Sequence, residues 1–258
     1  MKKYVKDLTV VSNERLHERH VLLKLTDTIP LPEMLPGQFV ELKVEGSGST
    51  FLRRPISIHF VDYERNELWL LVQIVGEGTR KLSELKPGDS LNVVFPLGNG
   101  FTLPATPEEK ILLVGGGVGI APLLYFGEQI AKMGGKPTFL LGARTATDLL
   151  QLDAFGKYGE VYITTEDGSV GSKGFVTRHP LLAEAHFDRI STCGPKPMMM
   201  AVARYAKEKG IACEASLENM MACGVGACLC CVEKTVAGNL CVCKEGPVFD
   251  INRLLWQI

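Results

Sequence analysis

The chain has 258 residues, 46% hydrophobic and 22% charged, with 27 glycines and 14 prolines; at about 150 residues per domain that is one or two folded units, and disorder, collagen-like repeats and coiled coil are excluded. Net charge is −1, from 28 basic and 29 acidic residues, so bulk charge would hold neither nucleic acid nor an anionic membrane. No run approaches the roughly 20 apolar residues of a membrane span, Lys6 and Asp7 interrupt any signal-peptide core, and the expectation is a soluble, cytoplasmic protein.

The first hundred residues read as β structure. Short alternating or β-branched runs at 4–11, 20–25, 38–44, 56–60, 68–75 and 90–95 are separated by turn clusters such as Pro36-Gly37 and Pro87-Gly88-Asp89. Six close-spaced strands predict a small antiparallel barrel. A short helix over 79–85 interrupts them, with Thr79 or Gly78 as the expected cap. Within the barrel half, Arg54-Pro55-Ile56-Ser57 opens a strand with a cation and a hydroxyl, a pair able to grip a phosphate and a polar ring edge. The free N–H groups at the start of the short helix, around Gly78-Thr79, suit a pyrophosphate. Either feature alone reads more simply as a solvated strand edge or a turn; one barrel carrying both is more specific.

The pattern changes after 103–107, a Pro-rich stretch that reads as a linker. A buried strand at 110–114 runs into Gly115-Gly116-Gly117-Val118-Gly119, and a helix follows over about 121–133. This is the context of a phosphate turn, although the spacing is not G-x-G-x-x-G. The next strand ends in Gly142-Ala143-Arg144, with no carboxylate to hold a ribose, which disfavours a standard dinucleotide grip. Tight strand–helix packing accounts for the glycines equally well. Strand and helix patterns then alternate through 138–141, 148–155, 161–164, 187–192, 198–209 and 211–216, the signature of a parallel sheet covered by helices. Cys193-Gly194-Pro195 ends one of these strands, which places Cys193 on the same crevice as the glycine turn; the plainer reading is a buried thiol before a helix.

All eight cysteines lie between positions 193 and 243, and six of them between 223 and 243. A disulfide framework would spread along the chain, so the clustering points to a metal centre held by one local segment. Cys223, Cys228 and Cys231 have the C-x4-C-x2-C spacing of plant-type [2Fe–2S] ligation. Gly224 and Gly226 allow the loop to curl so that backbone N–H groups point at the sulfurs. A zinc knuckle is the alternative, but it usually shows paired C-x2-C hooks. For a fourth ligand Cys241 and Cys243 are both near enough; Cys243, leading into Glu245-Gly246-Pro247, is preferred. Cys230 and Cys241 read as small buried hydrophobes.

The Arg-Pro-x-Ser strand, the glycine turn with its Cys-Gly-Pro partner, and the terminal cysteines together resemble the ferredoxin–NADP reductase superfamily. The stretch from Ser216-Leu217-Glu218 through Cys223–Cys231 to Val242-Cys243-Lys244-Glu245-Gly246-Pro247 is similar to the electron-transfer subunits of type B dihydroorotate dehydrogenases. The resemblance implies an α+β multidomain chain: an antiparallel β-barrel FAD domain at 1–102, an α/β parallel-sheet NAD domain at 103–217, and a [2Fe–2S] segment at 218–258. It implies FAD contacts from Arg54, Pro55, Ile56 and Ser57, completed by Leu71, Val72, Gln73, Gly78 and Thr79. Pyridine nucleotide would meet Gly115, Gly116, Gly117 and Gly119, with Cys193 as a catalytic group near the nicotinamide. Cluster ligands would be Cys223, Cys228, Cys231 and Cys243. The implied function is to channel electrons from the FMN of a catalytic partner subunit to NAD⁺ in pyrimidine biosynthesis, as a heterotetramer of two copies of each. Cys230 departs from the pattern, where glycine is common. The rival readings are the small subunit of a ferredoxin:NADP or sulfide dehydrogenase complex, and a plain electron-carrier module; the two nucleotide turns argue against the carrier.

Overall fold

A computed structural model describes residues 2–256 and residue 258. The chain divides into two compact units. The first comprises residues up to Gly100 together with Asn219–Glu233 and Leu240–Pro247; the second comprises Phe101–Glu218, Lys234–Asn239 and Val248–Ile258. Residues 218–258 are thus shared between the two units.

The first unit is a closed barrel of β1 (Tyr4–His17), β2 (His20–Thr26), β3 (Phe39–Leu42), β4 (Arg54–Asp62), β5 (Glu67–Gln73) and β6 (Ser90–Leu97), in the order β1-β2-β5-β4-β3-β6. All pairs are antiparallel. Side chains alternate across a strand, so every second residue reaches the interior. Leu8, Leu23, Leu25, Val40, Leu42, Ile58, Leu68, Leu70, Val72 and Val93 are all buried there. Closure also removes the exposed strand edges that a small sheet would otherwise present.

Helix α1 (Glu77–Ser83) starts earlier than the sequence suggested. Its cap is Gly76, and Thr79 sits one turn in. The Thr79 hydroxyl accepts the backbone N–H groups of Val75 (2.9 Å) and Gly76 (3.2 Å), so its capping chemistry acts backwards from inside the helix.

The second unit is built on a sheet of order β10-β9-β8-β7-β11-β12-β15. In chain order its elements are β7 (Ile111–Gly116), α2 (Ala121–Lys132), β8 (Thr138–Ala143), α3 (Leu152–Gly156), β9 (Glu160–Thr165), β10 (Ser172–Lys173), α4 (Leu181–Glu184), β11 (Arg189–Cys193), α5 (Lys196–Lys209) and β12 (Ala212–Ser216). These strands are parallel. All six residues of β7 are buried, as a central parallel strand covered on both faces requires. The hairpin β13 (Val232–Thr235) and β14 (Gly238–Cys241) and the short helix α6 (Val242–Glu245) follow, and β15 (Val248–Asp250) closes the sheet as an antiparallel edge on β12. The residues just ahead of the stretch read as a linker already belong to this unit. Phe101 stacks on Phe126 at 4.9 Å, and Glu214 accepts the Thr102 N–H at 3.1 Å. Among the described residues no helix is long and apolar enough to cross a membrane.

Candidate functional site

The cysteine loop belongs to the first unit and has almost no regular structure. Gly224 (φ +65°) and Gly226 (φ +81°) adopt the left-handed backbone that lets it curl. The curl turns N–H groups inward. Cys223 Sγ accepts from Val225 (3.5 Å), Ala227 (3.3 Å) and Cys228 (3.4 Å). Cys243 Sγ accepts from Gly226 (3.1 Å), and Cys231 Sγ from the Cys243 N–H (3.3 Å). The thiols sit in two pairs, Cys223 with Cys228 and Cys231 with Cys243.

Electrostatics follows from that wiring. Burial works against ionisation of Cys223, but the Val225, Cys228 and Ala227 donors outweigh it and bring the thiol down to about 6. Burial, then the hydrogen bond to Cys231, pushes Cys243 up to about 12. Cys241 does the opposite of a ligand: its Sγ donates to the Gly226 carbonyl at 3.9 Å. Cys230 is exposed. Among the described residues no three His, Cys, Asp or Glu side chains converge on one point as a mononuclear site needs. Soft thiols in two pairs, with N–H donors aimed at their sulfurs, fit a binuclear iron–sulfur cluster.

One residue of this region escaped the sequence reading. Glu41, on β3, is 1% exposed, and neither carboxyl oxygen has a hydrogen-bond partner. Burial raises its pKa to about 7, with the Arg53 charge opposing and Cys223 adding to the rise. A lone carboxylate inside the apolar run Phe39-Val40-Glu41-Leu42 was the available signal.

Also on the barrel, the paired register of β4 and β5 runs from Asp62↔Glu67 to Ile58↔Leu70. Arg54, Pro55, Ile56 and Ser57 continue β4 beyond it, and Leu71, Val72 and Gln73 continue β5. The first four are half-buried. Gly78 lies against Arg54: a Cβ there would stand 2.8 Å from Arg54 Nε and 3.2 Å from Thr50 Cγ2. Its lack of a side chain lets the start of α1 and the guanidinium come together, a cradle suited to a pyrophosphate group.

In the second unit the glycine turn packs on the Cys-Gly-Pro turn. A Cβ on Gly119 would fall 2.4 Å from Gly194 Cα, and one on Gly116 would fall 2.5 Å from Met198 Sδ. One on Gly115 would meet Ile120 and Leu123, both at 2.9 Å. Packing therefore explains these three. Gly117 (φ +56°) has nothing within 4 Å and faces open space. Cys193 is 1% exposed; burial raises its pKa, Glu218 adds to the rise, and the Ser216 hydrogen bond offsets only part. It stays a neutral thiol, suited to packing rather than to nucleophilic attack. The carboxylates missing after β8 stand after β9. Glu166 and Asp167 are exposed, and their N–H groups bond to the carbonyls of Ala143 (3.1 Å) and Arg144 (3.3 Å).

Among curated proteins, the dihydroorotate dehydrogenase B (NAD(+)) electron transfer subunit of Fusobacterium nucleatum is 39% identical over 252 residues, covering 95% of this chain and 96% of that protein. The corresponding subunit of Geobacillus kaustophilus is 38% identical over 96% and 97%. The chain belongs to the family of dihydroorotate dehydrogenase B electron transfer subunits.

Residues 218–255 of this chain match the model for the iron–sulfur cluster binding domain of dihydroorotate dehydrogenase B, and residues 113–204 match the oxidoreductase NAD-binding domain. The solved structure of an NADH-dependent reduced ferredoxin-NADP oxidoreductase is 31% identical with a TM-score of 0.87, covering 96% of this chain and 90% of that one. A ferredoxin reductase of carbazole 1,9a-dioxygenase, 22% identical with a TM-score of 0.68 over 82% of this chain and 67% of that one, shares the fold.

Proposed function

We propose that this chain is the electron-transfer half of an NAD-linked dihydroorotate dehydrogenase in pyrimidine biosynthesis, paired in the cytoplasm with an FMN-bearing catalytic subunit as two copies of each. The observation that carries the reading is the cysteine loop, where Cys223, Cys228, Cys231 and Cys243 pair their thiols under inward N–H groups. When bound, the cluster supplies single-electron transfer, and FAD supplies the change between one-electron and hydride chemistry with NAD⁺.

The chain's own residues divide the work. Residues 1–102 take FAD, 103–217 take the nucleotide, and 218–258 take the cluster. Arg54 would fork to the FAD phosphate beside Gly78, with Ser57 and the ends of β4 and β5 along the ring. Arg54→Ala should weaken FAD binding by about 1.5–3 kcal/mol, the range for a hydrogen bond to a charged group. Flavin retained as tightly as in the parent, measured by equilibrium dialysis, would refute the assignment.

The open Gly117 backbone offers N–H groups to a nucleotide phosphate, while Gly115, Gly116 and Gly119 hold the two turns together. Cys193, expected as a catalytic group, would lie near the nicotinamide as a buried neutral thiol. Glu166 and Asp167, beside the end of β8, favour a ribose hydroxyl and repel the extra phosphate of NADP. Around the cluster loop Met220, Val225 and Leu229 are 84%, 42% and 65% exposed, an apolar fringe suited to the catalytic subunit.

The purified chain should oxidise NADH with an artificial acceptor but should not oxidise dihydroorotate. NAD⁺ reduction by dihydroorotate should appear only when the catalytic subunit is added. Robust dihydroorotate turnover by the lone chain would overturn the reading. The likeness to the ferredoxin-NADP oxidoreductase supports a second reading, the small subunit of such a complex; transfer to ferredoxin in place of dihydroorotate oxidation would establish it.

A further inference from the structure

On β3, Val40 and Leu42 belong to the barrel core. Alternation along the strand turns the side chain of Glu41 to the other face. That face is covered by the cysteine loop: a Cβ on Gly224 would lie 2.8 Å from Glu41 Cγ and 3.4 Å from Oε1. Gly224 is the residue next to Cys223, so the turn that presents this thiol rests on the Glu41 side chain.

Two cations act on it through charge, Arg53 more strongly than Arg54, and neither donates to its carboxyl. Arg53 donates to the Asn92 carbonyl (3.1 Å), to Asn92 Oδ1 and to the backbone carbonyl of Glu41 (3.3 Å). Both Glu41 carboxyl oxygens remain without a donor. A buried polar group left in this state costs stability, and natural proteins keep such costs mainly where function uses the group.

We infer that Glu41 is a positioning residue for electron transfer, its buried carboxyl holding down the reduction potential of the cluster carried on the Cys223–Gly224 turn. The inference rests on the reading of the cysteine loop as the cluster site. Once ionised, this carboxyl puts negative charge close to the cluster, in a medium screened far less than water, and so disfavours addition of an electron. Groups just outside the ligand set are a recognised lever on cluster potential. A cluster held low can pass its electron onward rather than store it.

The test is the midpoint potential of the cluster in the purified, cofactor-loaded chain, titrated by electron paramagnetic resonance well above neutral pH. Glu41→Gln, and Glu41→Leu as the variant that also removes the unpartnered polar atoms, should both move the potential upward. Glu41→Asp keeps the charge and should stay near the parent value. Glu45→Gln, on an exposed side chain, serves as the control and should not move it. An unchanged potential in Glu41→Gln and Glu41→Leu overturns the inference while leaving the cluster site intact. So does an equal shift in Glu41→Asp, which would mark a packing role rather than a charge. If the unmodified chain carries no iron and no cluster signal, the reading of the loop itself fails and takes the inference with it.

Discussion

Serine in place of Cys223, Cys228, Cys231 or Cys243, one position at a time, should abolish or strongly distort the [2Fe–2S] signal. Cys230→Ser and Cys241→Ser should leave it recognisable. The expectation rests on donor chemistry and on wiring. A hydroxyl is a harder donor and far less acidic than a thiol, so a single exchange spoils a four-sulfur set. Cys243 is 0% exposed and accepts the Gly226 N–H, whereas Cys241, two residues earlier, spends its thiol as a donor to the Gly226 carbonyl. Cys230, exposed like Cys228, belongs to neither thiol pair. Optical and paramagnetic spectra of the six variants decide the matter. A normal spectrum in Cys243→Ser with loss in Cys241→Ser would move the fourth ligand by two residues.

Gly119→Ala should destabilise the nucleotide unit and depress NADH oxidation while the iron–sulfur spectrum persists. The new Cβ would stand 2.4 Å from Gly194 Cα, 2.5 Å from Gly194 N and 2.6 Å from the Cys193 carbonyl. All three are backbone atoms, so no side-chain rotation can relieve the clash. Overpacking typically costs about 1–3 kcal/mol, and a clash against backbone that cannot rotate away belongs at the upper end. Thermal unfolding and NADH–acceptor turnover measure the two consequences. The contrasting change, Gly117→Ala, meets no atoms within 4 Å but loses the ease of φ +56°. A parent-like unfolding midpoint in Gly119→Ala would show that the two turns separate more easily than their packing implies.

Much of this arrangement was legible without coordinates. The alternating runs between residues 4 and 95 specify strands because a period of two is the only pattern that buries one side of a pleated ribbon. The short apolar run into Gly115, ended by glycines, reads as a strand covered on both faces. Cysteine spacing and the glycines within it set which thiols can share a loop, since both depend on residues a few positions apart. Helix α1 was displaced because Thr79 caps from its third position, a choice that local composition does not distinguish.

Length and periodicity along the chain thus determined a barrel followed by an alternating α/β sheet, and local spacing determined the cysteine loop. Tertiary structure alone decided what those elements meet. It set Gly119 against Gly194 and divided the last forty residues between the two units, adding the three-residue β15 to the sheet. It also laid Gly224 over the buried carboxyl of Glu41. The physical reason is range. Hydrophobic period, backbone handedness and ligand spacing act over a few residues and are written locally, whereas burial of a given side chain depends on strand order and on segments far along the chain that only the closed fold brings together.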